Sequence, residues 1–373
     1  MPHPELLSET LENLATLRTN LRSCAEPSGE EAVTSAVISN FVGAWSPDQL
    51  LRKVGGHGVA AVFDGAGPGP TVLIRAELDA LATADGPAHL CGHDAHMAMV
   101  AGLAPVLRAA PPARGRVVLL FQPAEETGEG AQRVLEAPEF QDLRPDFAVA
   151  LHGVPGYEAG TVLHRPGVFS CASVGMRVEL RGEASHAAEP EAARSPMPAL
   201  ARLLSEFSQA PLSDRDAAGF LTVTHARLGS PSFGITPGFA TLFATIRAPG
   251  RLELEALCRD AAERVEAVSR GAGLDVVLRW HDAFPSTESA DDLVSTLAQV
   301  CADRQMPAVL LPLPFRWSED FGHFAGSCQT LYFGLGAGIS SPKLHQPSYE
   351  FPHAAISAGI RAFEGLYTEL LAR

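Results

Sequence analysis

The chain is poor in the features that would place it outside ordinary soluble enzymes. Its six cysteines (Cys24, Cys91, Cys171, Cys258, Cys301 and Cys328) are scattered, and no two form a C-x-x-C pair. A disulfide framework is therefore not expected; reduced thiols are, five of them as small buried apolar residues. Long apolar runs are missing: "VVLLF" at 117–121 is among the longest, far short of a bilayer span. The start, "MPHPELLSETLENL", has no basic stretch followed by an apolar one, so no signal peptide is expected and the chain reads as cytoplasmic. Positive charge is scarce as well. With 28 Lys and Arg against 43 Asp and Glu, the net charge is −15, which argues against nucleic acid or an anionic membrane as partner. No internal repeat is visible, and the turn "GAGPGP" (65–70) is the one biased tract.

What is present is a chain of 373 residues, longer than one core usually supports, so two domains are expected. Helices are predicted over 4–20 and 28–45, the second opened by "SGEE" with Ser28 as N-cap. Short apolar runs then alternate with helical stretches. Strands are predicted at 58–63, 71–78, 116–121 and 147–152, with helices at 96–110 and 130–137. This is the βαβ alternation of an α/β fold with a mainly parallel sheet. Near residue 172 the pattern changes. "SVGMRVELRG" (173–182) and "FATLFATIRA" (239–248) alternate apolar and polar residues, and helices are predicted at 196–209 and 251–270. That suggests a small α+β domain with an antiparallel sheet open on one face. The buried style returns after about 281, with a helix at 291–305, a strand at 330–336 and a last helix at 353–372. The expected organisation is a discontinuous catalytic domain, 1–171 and 282–373, interrupted by an inserted domain, 172–281.

Chemistry concentrates in loops that follow predicted strands. "HLCGHDAH" (89–96) crowds three histidines, a cysteine and an aspartate into eight residues. Glu125 and Glu126 follow the strand 116–121, His152 closes the strand 147–152, and His345 follows the strand 330–336. In parallel sheets, ligands bind beyond the carboxyl ends of strands, so these loops are expected to meet in one crevice. A thiolate, imidazoles and a carboxylate would suit one or two divalent ions such as zinc, cobalt or manganese. A thiol hydrolase built on Cys91 with His93 or His96 is the rival reading, but it leaves the Glu pair and His345 without roles.

Seven stretches occur in order: "RAELDAL" (75–81), "CGHDAHMAM" (91–99), "FQPAEETGEGA" (121–131), "LHGVPGYEAGTV" (151–162), "GEASHAAEP" (182–190), "SEDF" (318–321) and "LHQPSYEF" (344–351). Together they resemble the metal-dependent amidohydrolases that include aminoacylases, hippurate hydrolases and auxin-conjugate hydrolases. The resemblance implies a catalytic α/β domain with two divalent ions (Zn, Mn or Co) and an inserted α+β lid that often makes a homodimer. It implies Cys91, His93, Glu126, His152 and His345 as metal ligands, Cys91 as bridge, and Glu125 as general base. The backbone should then turn at Pro123-Ala124, so that the two adjacent carboxylates face different ways. Asp79, Asp94 and His96 match family positions too; both aspartates are read as orienting ligand imidazoles, with a turn for Asp79 and a helix cap for Asp94 as the plainer alternatives.

By the same resemblance, His186 of the inserted domain stabilises the oxyanion, in many relatives from the neighbouring subunit. Arg247 lies where relatives bind the substrate's α-carboxylate, a task suited to a guanidinium fork; a strand-edge ion pair is its plainer reading. The implied substrate is a small N-acyl amino acid, cleaved to a carboxylic acid and an amino acid; a dipeptidase or carboxypeptidase is the alternative within the same chemistry. Some positions depart from the pattern. The segment between the "LDAL" and "CGHD" motifs is short, "FGITPG" (233–238) lacks an expected Asn, and Gln346 and Met97 replace a frequent His and Thr.

Overall fold

The computed structural model describes residues 4–208 and 219–373. They divide into two compact units, one of residues 4–169, 287–312 and 319–373, the other of residues 170–208, 219–286 and 313–318. The first unit is built on an eight-stranded sheet in the order β1-β2-β4-β3-β5-β14-β6-β13. These strands are β1 (Gln49–Val54), β2 (Gly58–Asp64), β3 (Thr71–Glu77), β4 (Arg116–Gln122), β5 (Phe147–Val154), β6 (Val162–His164), β13 (Ala308–Leu310) and β14 (Gln329–Gly336). The central neighbours β4, β3, β5 and β14 run parallel, while β2 is antiparallel to both β1 and β4 and β14 is antiparallel to β6. Every residue of β3 is buried, as expected of a strand flanked by parallel neighbours in the middle of the sheet.

The predicted helix at 96–110 begins earlier and is broken, as His93–Ala101 and Leu103–Ala109. His93 is thus its first residue, preceded by Gly92 at φ 85, a left-handed turn that glycine adopts without a steric cost. Ser28 does not cap the second helix. That helix runs Ala32–Gly43 with Glu31 at its N-cap, and Ser28 donates to Asp79 Oδ2 at 2.6 Å instead. The six cysteines are free; Cys91, Cys171 and Cys301 are buried, but Cys24, Cys258 and Cys328 are only partly so, fewer buried thiols than expected.

The second unit holds a four-stranded antiparallel sheet, β11-β8-β10-β9, made of β8 (Ala172–Arg181), β9 (Phe220–Leu228), β10 (Phe239–Ala248) and β11 (Asp275–Phe284). Val174, Met176, Val178 and Leu180 of β8 and Ala240, Leu242, Ala244 and Ile246 of β10 form its core with Leu200, Leu203, Val265 and Val268. The latter come from the helices Met197–Ser208 and Arg251–Gly271; predicted position 209 lies outside the described residues. The period-2 alternation leaves residues 173, 175, 177, 179 and 181 on the opposite, open face. Among the described residues, no helix is long and apolar enough to cross a membrane.

One buried network holds the centre of the first unit. Arg75, 1% exposed, donates to Gln122 Oε1 (2.9 Å), Glu319 Oε1 (2.8 Å), Asp320 Oδ1 (2.7 Å) and Glu77. Tyr332 donates to the other oxygen of Glu319 at 2.7 Å, and Gln122 and the Ala131 amide donate to Asp320 at 2.8 Å. Arg75→Met strands three buried carboxylates. It is expected to cost about 3–5 kcal/mol, the range seen when one member of a buried ion pair is removed. Equilibrium denaturation measures this; a change below about 1 kcal/mol would mean the carboxylates find other partners.

Candidate functional site

β4, β3, β5 and β14 lie side by side and run the same way, so their carboxyl ends form one continuous edge. The loops leaving that edge deliver the clustered residues. Cys91 and His93 follow β3, Glu125 and Glu126 follow β4, and His345 follows β14. His152 lies within β5, two residues before its end.

The chain reverses sharply after β4. Ala124 has φ 53, a left-handed conformation that costs a residue with a Cβ roughly 1–2 kcal/mol. Three bonds hold it there: Glu31 Oε1 accepts from the Ala124 amide at 2.8 Å, and the Ala124 carbonyl accepts from Gly130 N at 3.1 Å and the Thr127 hydroxyl at 3.3 Å. Gly130 allows that return, since a Cβ there would lie 1.7 Å from the Pro123 carbonyl oxygen. Beyond the turn come the two adjacent glutamates. The Glu126 amide is fixed by Asp79 Oδ2 at 2.9 Å, and Glu125 is buried with Oε2 3.9 Å from His93 Nε2.

Two groups of potential ligand atoms form here, each within 4.8 Å: Cys91, Glu126 and His345, and His93, Glu125 and Glu126. Glu126 is common to both. Cys91 Sγ and His345 Nε2 are 3.0 Å apart, and the His345 amide donates to Leu90 O at 3.0 Å, which ties the last loop to the first. His152 stands in neither group at that radius; its ring centroid is 6.3 Å from that of His93 and 4.8 Å from that of His96. Two further groups, Glu77 with His93 and His96, and Glu125 with Glu319 and Asp320, also bring their ligand atoms within 4.8 Å of one another. Neither is open to an ion as it stands. His96 is spent at both nitrogens, Nε2 accepting from Gly153 N at 2.9 Å and Nδ1 donating to Glu77 at 2.8 Å. Asp320 is saturated by Arg75, Gln122 and Ala131.

Orientation of the imidazoles differs from expectation in part. His93 Nδ1–H donates to the backbone carbonyl of Asp79 at 2.8 Å, which presents Nε2 to the cluster. Of the Asp79 carboxylate, Oδ2 accepts from Ser28 and the Glu126 amide, while Oδ1 lies 4.0 Å from His93 Nδ1. Asp94 orients no ligand; it pairs with Arg18 at 2.8 Å, whose guanidinium also bonds the Phe351 carbonyl at 3.0 Å. Glu77 was the residue not recognised from sequence. Its signal was there, since two charges at Arg75 and Glu77 interrupt an otherwise apolar strand at i, i+2.

Several ligand atoms at this edge lack partners. His93 Nε2, Glu126 Oε1 and Asp79 Oδ1 are buried without a hydrogen-bond partner, which ordinarily costs about 1–3 kcal/mol each. Burial, then Glu126, pushes the Cys91 thiol well above its ordinary range. Burial, then Glu319, Glu126, Asp320 and Asp79, does the same to Glu125. Burial also opposes charge on both histidines. For His93 the carboxylates of Glu77, Glu126 and Asp79 outweigh it and carry the pKa up to about 9. For His152, burial and the neighbouring His96 take it down to about 3, leaving the neutral imidazole that ligation requires. A soft thiol, imidazole nitrogens and unpaired carboxylate oxygens converging here fit divalent metal ions.

His186 and Arg247 belong to the second unit. His186 is exposed, and its Nδ1 accepts from the Ala188 amide at 3.1 Å. Its loop is zipped to "FGITPG" by the Ala187 amide on Gly234 O (3.0 Å) and the Thr236 amide on Ser185 O (3.0 Å). Arg247 donates to the Arg316 carbonyl (3.2 Å) and the Ser318 hydroxyl (2.8 Å), both uncharged, rather than making the ion pair of its plainer reading, and burial lowers its pKa.

Comparison with known proteins places this geometry. N-acetyldiaminopimelate deacetylase of Bacillus pumilus is 24% identical over 369 residues, covering 95% of each chain. The enzyme of the same name from Bacillus subtilis is 25% identical over 374 residues, covering 96% of this chain and 98% of its own. Among solved structures, a Bacillus subtilis protein described as a dinuclear metal binding peptidase from the M20 family superposes with a TM-score of 0.81 at 22% identity, over 98% of this chain and 99% of that one. The aminobenzoyl-glutamate utilization protein of Klebsiella pneumoniae gives 0.75 at 21% identity, over 99% and 98%. These likenesses show the fold: a mixed α/β unit with a large, mainly parallel sheet and a separate antiparallel-sheet unit. The profile of peptidase family M20/M25/M40 matches residues 73–369, and the chain belongs to that family of hydrolases.

Proposed function

We propose that the protein hydrolyses the amide bond of N-acyl amino acids, using two divalent metal ions held by Cys91, His93, Glu126, His152 and His345. The observation that carries this reading is the convergence of a thiol, imidazoles and adjacent carboxylates around buried ligand atoms that lack partners. The relatives named as deacetylases of an N-acetylated amino acid support the same class of substrate. When bound, the ions supply Lewis acidity, polarising the amide carbonyl and acidifying a water nucleophile.

The protein residues do the rest. Glu125, buried beside His93, takes the proton from the attacking water and passes it to the leaving amine. The left-handed turn at Ala124 precedes both carboxylates, whose surroundings differ: Glu125 Oε2 lies near His93, while Glu126 belongs also to the group with Cys91 and His345. Arg247 binds the substrate carboxylate through its guanidinium fork. His186 donates to the developing oxyanion. Because its Nδ1 accepts a backbone hydrogen bond, the neutral ring carries its proton at Nε2, the tautomer that can donate. The second unit joins two chains into a homodimer in which His186 serves the partner's site, and the enzyme works in the cytoplasm.

Chelation is expected to abolish hydrolysis of acetylated, benzoylated and fatty-acylated amino acids, and Mn²⁺, Co²⁺ or Zn²⁺ to restore it. Cys91→Ala loses at least one ion per chain. Full occupancy and activity in that variant would remove Cys91 from the ligand set and exclude the thiol hydrolase as well, whereas turnover in the presence of chelator would point to the thiol hydrolase. Dipeptides run alongside separate the peptidase reading, since they alone present a free amino terminus.

A further inference from the structure

The open face of the second unit's sheet carries a cavity of about 310 Å³, at the lower end of the size range of small-molecule sites. Its floor is Gly175. In register, Gly175 faces Thr245 of β10 on one side and His281 of β11 on the other, so the row that should carry three side chains carries two. The next row supplies a wall, Arg177 opposite Phe243. The Arg177 guanidinium lies 5.5 Å over the Phe243 ring, and its Nε is buried without a hydrogen-bond partner. On the far side β11 bulges after His281, and Asp282 at φ 48 also lines the cavity.

Charges of both signs surround the cavity, with Arg279 of β11 opposite Arg177. Arg177 pairs with Glu179 at 2.8 Å, and Glu179 is shared with Arg181 at 2.7 Å. A multivalent anion would meet both Glu179 and Asp282, and a metal ion would meet Arg177. A ligand with one carboxylate and one ammonium answers Arg177 and Asp282 together, with the half-exposed Phe243 ring for an apolar side chain. We propose that this cavity is a binding site for a free α-amino acid with an apolar side chain, its carboxylate on Arg177 and its ammonium on Asp282. The proposed hydrolysis releases a molecule of this class, so a ligand arises wherever the enzyme works; the site itself does not depend on that reading.

The test is calorimetric titration of the full-length chain, stripped of metal by chelation, with leucine, leucinamide and N-acetylleucine. Leucine is expected to bind one per chain. Leucinamide, lacking the carboxylate, and N-acetylleucine, lacking the ammonium, bind at least about tenfold more weakly. Arg177→Gln and Asp282→Asn each weaken leucine by a similar factor, and Arg177→Gln removes the preference for leucine over leucinamide. Gly175→Leu fills the floor and blocks binding; should it not fold, Thr245→Leu crowds the same row from the facing strand. Equal affinity for the three ligands, or no binding of leucine at millimolar concentration, overturns the proposal. Binding that survives the cavity variants but is lost in Cys91→Ala also overturns it, by assigning leucine to the metal-ligand cluster.

Discussion

Glu125→Gln is expected to lower kcat by roughly 10²–10⁴ while leaving metal content unchanged. The amide keeps the shape of the carboxylate but accepts no proton, so ground-state binding persists and proton transfer fails. Glu126→Gln, one residue on, fails in another way. Glu126 is common to both groups of ligand atoms, and its Oε1 is buried without a partner. Its loss weakens metal binding itself, and excess metal recovers part of the rate. Metal analysis beside steady-state kinetics reads both variants. Both glutamates follow the turn at Ala124, which Glu31 and Gly130 hold from opposite sides. If Glu125→Gln loses metal and Glu126→Gln retains it with a dead rate, the two roles are exchanged.

How much of this was legible in the sequence follows from how local each cause is. β2 to β5 and β14 are mainly apolar runs buried on both faces, and that pattern needs no partner to be recognised. β10 was predicted to the residue, because its alternation is unbroken over ten positions. β1 was missed: "QLLRKV" is an edge strand, partly exposed and charged. β9 and β11 were missed because each carries a register shift, opposite Phe243–Ala244 and between His281 and Phe284, and a bulge breaks the period by which a strand is read.

The site divides along the same line. Its motifs follow strand ends directly, so the cluster could be drawn from sequence. What could not be drawn are contacts between distant segments. Asp94 is taken by Arg18, seventy-six residues earlier. Ser28 and Glu31 read as a helix start, yet Ser28 bonds Asp79 and Glu31 braces Ala124. Local capping propensity lost there to tertiary hydrogen bonds.

His186→Ala is expected to fold, bind metal and lose kcat by roughly 10²–10³, with a modest change in KM. That scale is the effect of removing one oxyanion donor, about 3–4 kcal/mol. A structural role is a poor explanation for this residue. His186 is exposed, and within its loop the packing is held by Ser185, which accepts Thr236 N through its carbonyl and bonds Glu189 O through its hydroxyl at 2.9 Å. Removing the imidazole takes away one contact to the Ala188 amide and little else. A large kinetic loss with unchanged unfolding would therefore report on chemistry. If the donor reaches the partner's site, mixing His186→Ala with Glu125→Gln regenerates activity after subunit exchange. In each mixed dimer one site keeps both its own Glu125 and the other chain's His186, while the second site lacks both, so the ceiling is about half of wild type. Absence of recovery in confirmed mixed dimers would falsify the arrangement across the dimer and leave His186 acting within its own chain. An unchanged kcat in the single variant would remove the residue from the mechanism.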